Sequence, residues 1–80
     1  MVKNSIFTVS LRGEGVWHEC QIHYAIKDTT KETLSTVRDM LEKSCNIKVY
    51  DFIVNPMYGT IEAATSRKDV VVYIEEIQVL

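Results

Sequence analysis

Residues 70–80 read Val-Val-Val-Tyr-Ile-Glu-Glu-Ile-Gln-Val-Leu and begin with apolar side chains in consecutive positions. Successive side chains of a β-strand point to opposite faces of the sheet. A consecutive apolar run therefore needs cover from water on both faces. A chain of 80 residues can cover one sheet face with a helix, but hardly two. The stretch predicts a strand whose second face is either an exposed apolar patch or a contact surface.

Two stretches near the start of the chain alternate between apolar and polar residues, as half-buried strands do. They cover residues 5–12 and 16–26, and the intervening Gly13-Glu14-Gly15 predicts a hairpin turn. The apolar faces are predicted to hold Phe7, Val9 and Leu11 in the first strand, and Val16, His18, Cys20, Ile22, Tyr24 and Ile26 in the second.

A helix is predicted to begin at Thr29. Glu32 follows three residues later, so that the two side chains can form a capping box. Asn46 is a residue that tolerates the left-handed conformation at a helix end. Between these limits, the apolar residues recur at helical spacing at Leu34, Val37, Leu41 and Cys45, with Met40 at the margin.

Three further strands are predicted after the helix, at residues 47–54, 60–65 and 70–80. The first is ambiguous, since either Tyr50, Phe52 and Val54 or Ile47, Val49 and Ile53 can form its buried face. Residues 55–59 and 66–69 read as turns. In the last strand the apolar phase slips at Glu75-Glu76, which predicts a β-bulge there or fraying beyond it.

The predicted order is β-β-α-β-β-β, an α+β fold in a single domain spanning residues 1–80. A right-handed crossover through the helix predicts that the second and third strands are parallel, so that the helix packs on a mixed sheet. This layout resembles the β-grasp fold of ubiquitin-like domains: a hairpin, one helix, a further strand, a short strand and a long final strand. Conjugating members of that family end in Gly-Gly, whereas this sequence ends Gln78-Val79-Leu80, so the resemblance implies no conjugation role.

The charge pattern names no partner. The 9 basic and 11 acidic residues are well mixed and give a net charge of −2, which is neither the basic footprint of a nucleic-acid binder nor the dense acidic field of a DNA mimic. Two cysteines permit one disulfide at most. The first ten residues lack the long apolar run of a signal peptide or membrane helix. We therefore predict a cytoplasmic protein with reduced cysteines and no membrane contact.

Candidate catalytic and metal-binding groups are few. His18 and Cys20 share a strand face, but His23 points the other way, so the three cannot close on one ion. Cys45 could add a ligand from the helix, although both cysteines read more simply as small core residues. Burial also argues against Cys20 as a nucleophile activated by a histidine. We predict no enzymatic activity, metal or cofactor, with a small cysteine-dependent enzyme kept as an alternative.

Three aromatic residues, Trp17, Tyr50 and Tyr73, could stack on the bases of single-stranded nucleic acid. Such platforms work together with cationic grooves, whereas the neighbouring Glu19 and Glu75 are acidic. Nucleic-acid binding through the same sheet face is therefore the first alternative, ahead of the cysteine-dependent enzyme.

The side chains predicted to face away from the helix indicate a contact surface, because large exposed apolar patches are rare on stable monomers. A curled sheet with its loops could instead cover them within the monomer. We predict a non-enzymatic protein-interaction module (a subunit, an adaptor or an inhibitor of the kind viruses use) that binds a protein partner or itself. The predicted contact residues are Ile6, Trp17, Val71 and Tyr73, with Met57 and Tyr58 in the 55–59 turn, and with Tyr50 and Phe52 added if Val49 and Ile53 face the helix.

Overall fold

One helix and five strands make up the described part of the chain, which covers residues 4–15 and 21–79 of the computed structural model. This confirms the predicted α+β class and the predicted order of the elements. The elements are β1 (Asn4–Arg12), β2 (His23–Ile26), α1 (Lys31–Cys45), β3 (Val49–Asn55), β4 (Thr60–Thr65) and β5 (Val71–Val79).

The five strands form one sheet in the spatial order β2-β1-β5-β4-β3. All four neighbouring pairs are antiparallel, so the prediction of a mixed sheet is wrong in this respect. By these pairings β2 and β3 run in the same direction, but they occupy opposite edges and do not pair. The chain that contains α1 therefore crosses the full width of the sheet. The element order stays compatible with the β-grasp layout.

The apolar stripe of α1 covers one face of this sheet. Val37, Leu41 and Cys45 are buried as predicted, and Leu41 has no exposed surface. Full burial of such an aliphatic side chain contributes about 1.5–3 kcal/mol, so this layer stabilises the fold. The sheet supplies the other half of the core through Val9, Leu11, Val49, Ile61, Ala63, Val72 and Ile74, with Phe7, Ile22, Tyr24 and Ile26 packed against it.

The bulge in this sheet lies in β3 and not in β5. β5 pairs with β1 without interruption from Asn4–Val79 to Arg12–Val71, so the predicted bulge at Glu75-Glu76, or fraying beyond it, is wrong. The register of β3 against β4 shifts between Val49 and Phe52. Both of these residues lie against the core although they are three positions apart, which a regular strand does not allow. Neither of the two predicted phases for this strand is therefore correct throughout.

The helix begins one residue later than predicted. Thr30, rather than Thr29, is the N-cap, and its hydroxyl accepts a hydrogen bond from the Thr33 amide. Asp28 in turn accepts from the amide of Thr30 and from the hydroxyls of Thr30 and Thr33. This cluster of side chains replaces the predicted capping box with Glu32. At the other end Asn46 is left-handed, with φ 54°, as predicted.

The turn after β1 packs against the turn before β5. Gly13 has φ +129°, and a Cβ atom at this position would lie 1.9 Å from the carbonyl oxygen of Asp69. The amide of Gly15 donates to that same carbonyl oxygen over 3.2 Å. Glycine is required at Gly13 because of its positive φ and because a Cβ atom would clash with the Asp69 carbonyl oxygen. Of the predicted second strand, the described residues show β2 alone, and residues 16–20 lie outside the described part.

Candidate functional site

The sheet face opposite α1 carries a continuous row of side chains across all five strands. Strand register aligns His23 of β2, Ser10 of β1, Tyr73 of β5, Glu62 of β4 and Ile53 of β3. Four of these residues carry polar groups, and the apolar Ile53 stands at the β3 edge. This face is therefore more polar than the consecutive apolar run in β5 suggests.

Arg12 covers the centre of that face. Its guanidinium group lies 4.0 Å from the centre of the Tyr73 ring and 3.3 Å from a carboxylate oxygen of Glu75. A cation–π contact contributes about 0.5–1 kcal/mol at an exposed site, and an exposed ion pair about 0–1 kcal/mol. Tyr73 is half-buried as a result, since an intramolecular partner already occupies its ring.

The predicted contact residues do not all come together. Val71 and Tyr73 share this face on β5, as predicted, and both are half-buried. Ile6 is opposite Ile77 at one end of the β1–β5 ladder, whereas Val71 is opposite Arg12 at the other end. Six residues of strand correspond to about 20 Å, so Ile6 and Val71 cannot contact the same small epitope. Trp17 lies outside the described residues.

The most exposed apolar side chains lie along β3 and in the turn that follows it. Ile53 is 69% exposed, Val54 60%, Met57 79% and Tyr58 74%. These four residues are called the β3 apolar surface below. The predicted pair Met57 and Tyr58 thus belongs to it. Sequence reasoning did not select Ile53 and Val54 as contact residues, because the bulge that exposes Ile53 is a property of the folded sheet.

Local hydrogen bonds fix the turn that presents Met57 and Tyr58. The Asn55 side-chain oxygen accepts from the Met57 amide over 3.0 Å, and the Asn55 carbonyl accepts from the Gly59 amide over 2.8 Å. Asparagine followed by Pro56 is typical of such a turn. Gly59, with φ +66°, lets the chain return into β4. The two exposed side chains are therefore held on an ordered turn.

A shallow groove of about 560 Å³ connects this surface with the outer face of the sheet. Its walls include Ile53 and Pro56 on one side and Val71 on the other. Ala64, which pairs with Val71, has a side chain too small to fill the space between them. The groove thus brings one predicted contact residue, Val71, next to the β3 apolar surface.

No charged residue occurs between Asp51 and Glu62. These ten positions, residues 52–61, include the β3 apolar surface and one wall of the groove. In a chain that is 25% charged, such a segment is a signal that can be read from the sequence. It indicates the part of the surface best suited to contact with an apolar partner.

The first residues of β3 form hydrogen bonds with side chains of α1. A carboxylate oxygen of Glu42 accepts from the Val49 amide over 2.9 Å, and the Arg38 guanidinium donates to the Tyr50 carbonyl over 3.2 Å. The same guanidinium is 3.9 Å from Asp51 and 5.5 Å from the centre of the Phe52 ring. Helix side chains therefore occupy main-chain groups of β3 up to Tyr50.

The ionisable groups offer little that resembles catalytic chemistry. Burial raises the pKa of the Tyr24 hydroxyl, which has no hydrogen-bond partner among the described residues. Hydrogen bonds, first from the Thr33 hydroxyl and then from Thr30, lower the pKa of Asp28. Cys45 is buried in the core as predicted, and Cys20 and His18 lie outside the described residues. Within residues 4–15 and 21–79, no three histidine, cysteine or acidic side chains cluster as metal ligands do.

No family model, curated protein or solved structure matches this chain. In the described part of the chain, no helix combines the length and apolar character needed to cross a membrane.

Proposed function

We propose that this chain is a non-enzymatic protein-interaction module, a subunit, adaptor or inhibitor, that binds a protein partner or a second copy of itself. The observation that carries the proposal is the β3 apolar surface, where four large apolar side chains are 60–79% exposed on a segment without charge. Aromatic residues and methionine are favoured anchors of protein interfaces.

The groove beside this surface supports the same function. Val71 and Ala64 extend the apolar area from β3 toward the centre of the sheet. An anchor side chain from a partner could enter this groove between Ile53 and Val71. The proposed site therefore includes the predicted residues Val71, Met57 and Tyr58, and adds Ile53 and Val54.

The other functions have less support. Tyr73 is the described aromatic residue nearest the centre of the outer face, and its adjacent cation, Arg12, is already paired with Glu75. Glu62 lies next to Tyr73 in the sheet, and its charge repels phosphates. Of the two cysteines, Cys45 is buried, which suits a core residue better than a nucleophile. A cytoplasmic location is part of the proposal.

Affinity capture with three forms of the chain tests this function. The forms are wild type, a Met57→Ser/Tyr58→Ser variant, and a control that replaces the exposed residues Lys31 and Lys68 by serine. We expect one or more proteins to be recovered with the wild type and the control but lost with the Met57/Tyr58 variant. Removing an anchor typically costs about 2 kcal/mol of binding or more, roughly thirtyfold in affinity.

Circular dichroism on the same preparations confirms that the variants fold. Recovery of the same proteins by all three forms would argue against a contact at this surface.

A further inference from the structure

The two edge strands of the sheet differ in length. β2 forms one edge and has four residues, whereas β3 forms the other and has seven. An edge strand presents main-chain N–H and C=O groups that can pair with another strand. β3 is the longer edge, and it also carries Ile53 and Val54, which are largely exposed.

Helix side chains close only the first part of the β3 edge. Glu42 bonds the Val49 amide and Arg38 bonds the Tyr50 carbonyl. Among the described residues, no hydrogen bond from outside the sheet reaches the main chain of Phe52, Ile53 or Val54. The open part of the edge thus lies between Tyr50, whose carbonyl accepts from Arg38, and Asn55, whose carbonyl accepts from the Gly59 amide.

We propose that a second copy of this chain pairs with this open edge, so that two β3 strands lie antiparallel about a two-fold axis at Ile53. The proposal rests on the proposed function and names the partner. The pairing would join two five-stranded sheets into one continuous sheet. An antiparallel pair is two-fold symmetric only if the axis is perpendicular to the sheet, which places both helices on the same face.

The sequence of the open edge suits self-pairing. About an axis at Ile53, the two Ile53 side chains oppose each other on the outer face, and Phe52 opposes Val54 of the second copy on the helix face. Directly opposed apolar pairs stabilise a sheet. In this register both exposed apolar residues of the edge, Ile53 and Val54, oppose an apolar side chain of the second copy. Asp51 opposes Asn55 of the second copy rather than another Asp51, so no like charges meet.

The absence of charge in residues 52–61 favours this occupant over a charged peptide. An edge of four residues buries less area than a standard interface of about 800 Å² per partner. We therefore expect a reversible dimer with a dissociation constant between about 1 µM and 1 mM. An extended apolar segment of another protein is the competing occupant, and the test separates the two.

Analytical ultracentrifugation of the full chain between about 1 µM and 1 mM measures the dimer directly. The key variants are Ile53→Lys and Ile53→Glu, because each places like charges opposite each other at the axis. Ile77→Lys is the matched control, since Ile77 is also an exposed isoleucine (46%) but lies in β5, away from the β3 edge. Circular dichroism checks that every variant folds.

We expect the wild type and Ile77→Lys to dimerise alike, and each Ile53 variant alone to dimerise at least about tenfold more weakly. An equimolar mixture of Ile53→Lys and Ile53→Glu should regain the dimer, because opposite charges then meet at the axis. A wild type that stays monomeric to 1 mM overturns the proposal, as does an Ile53→Lys variant that dimerises like the wild type.

The two proposals can fail separately. A monomeric wild type that still loses a captured protein through Met57→Ser/Tyr58→Ser leaves the protein-binding function standing without self-pairing. In that case the β3 edge takes a strand from another protein or none, and competition by an added apolar peptide distinguishes these.

Discussion

β5 and β3 are both rich in apolar residues, but the sheet gives them different surroundings. β5 lies at the centre, between β1 and β4, with α1 over one face and Arg12 over part of the other. β3 lies at the edge, and among the described residues α1 side chains bond the main chain of Val49 and Tyr50 only. On the helix face, where both residues lie in one row with Ile61, Ile74 of β5 is 1% exposed and Val54 of β3 is 60% exposed. Position in the sheet, rather than composition, decides which apolar strand contributes to the core and which keeps its apolar side chains exposed.

Matched substitutions in the two strands give the largest expected difference. Ile74→Ala should destabilise the fold by about 2–5 kcal/mol, because it leaves a cavity in the core. Val54→Ala, in the same row of the sheet, should change stability by about 0.5 kcal/mol or less, since the side chain is mostly in water. Urea unfolding monitored by circular dichroism measures both. Similar losses at the two positions would contradict the contrast between centre and edge.

The closed part of the β3 edge predicts a smaller effect. Glu42→Ala removes the acceptor of the half-buried Val49 amide and should cost about 1–3 kcal/mol, because that donor is then left unsatisfied. Lys43→Ala is the control, since Lys43 is the exposed next residue of α1. A Glu42 variant as stable as the Lys43 variant would show that the helix does not secure this edge.

The residue that caps the N-terminus of α1, the helix that packs over β5, can be identified by substitution. Thr30→Ala should lower the unfolding free energy by about 1 kcal/mol through loss of the N-cap, whereas Thr29→Ala should have little effect. Thermal or urea unfolding of the two single variants distinguishes the observed start of the helix from the predicted one. A larger loss of unfolding free energy in Thr29→Ala than in Thr30→Ala would instead support the predicted capping box of Thr29 and Glu32.

Ionisation of Asp28, at the start of this helix, makes the stability of the fold depend on pH. Its pKa is lowered in the folded state, mainly by the Thr33 hydroxyl, so the ionised form stabilises the fold. That contribution is present above the ordinary carboxyl pKa, near 4, and is lost as the pH falls through the lower folded value. Asp28→Ala should therefore be less stable than wild type at pH 7, and the difference should shrink below about pH 4. A difference that stays constant down to pH 2 would exclude this linkage.

Much of the secondary structure could be predicted from local patterns. Alternation placed Phe7, Val9 and Leu11 on one face of β1 because a strand has a period of two. Helical spacing identified Val37, Leu41 and Cys45 as buried. The Thr29 assignment failed narrowly, since three threonines and Asp28 lie within six residues and only the folded geometry shows which hydroxyl meets a free amide.

The candidate site was predicted in part. Met57 and Tyr58 could be found because an Asn-Pro turn displays its side chains regardless of the rest of the fold. Ile53 and Val54 could not, because their exposure follows from a bulge and from an edge position that involve β4 and α1. Tyr73 was predicted to be a contact residue for a partner. In the structure Arg12, which is 61 positions earlier in the sequence, lies over its ring.

The sequence by itself determined the α+β class, the order of the elements and the apolar phase of β1, α1 and β5, since these follow from periodicity and from turn residues close in the chain. Only the tertiary structure decided the strand order, the antiparallel direction of the pairs other than the predicted hairpin, and the location of the bulge. These depend on contacts between residues far apart in sequence, which local patterns do not encode. The same contacts decide which apolar strand is left at an edge, and therefore where the proposed partner would bind.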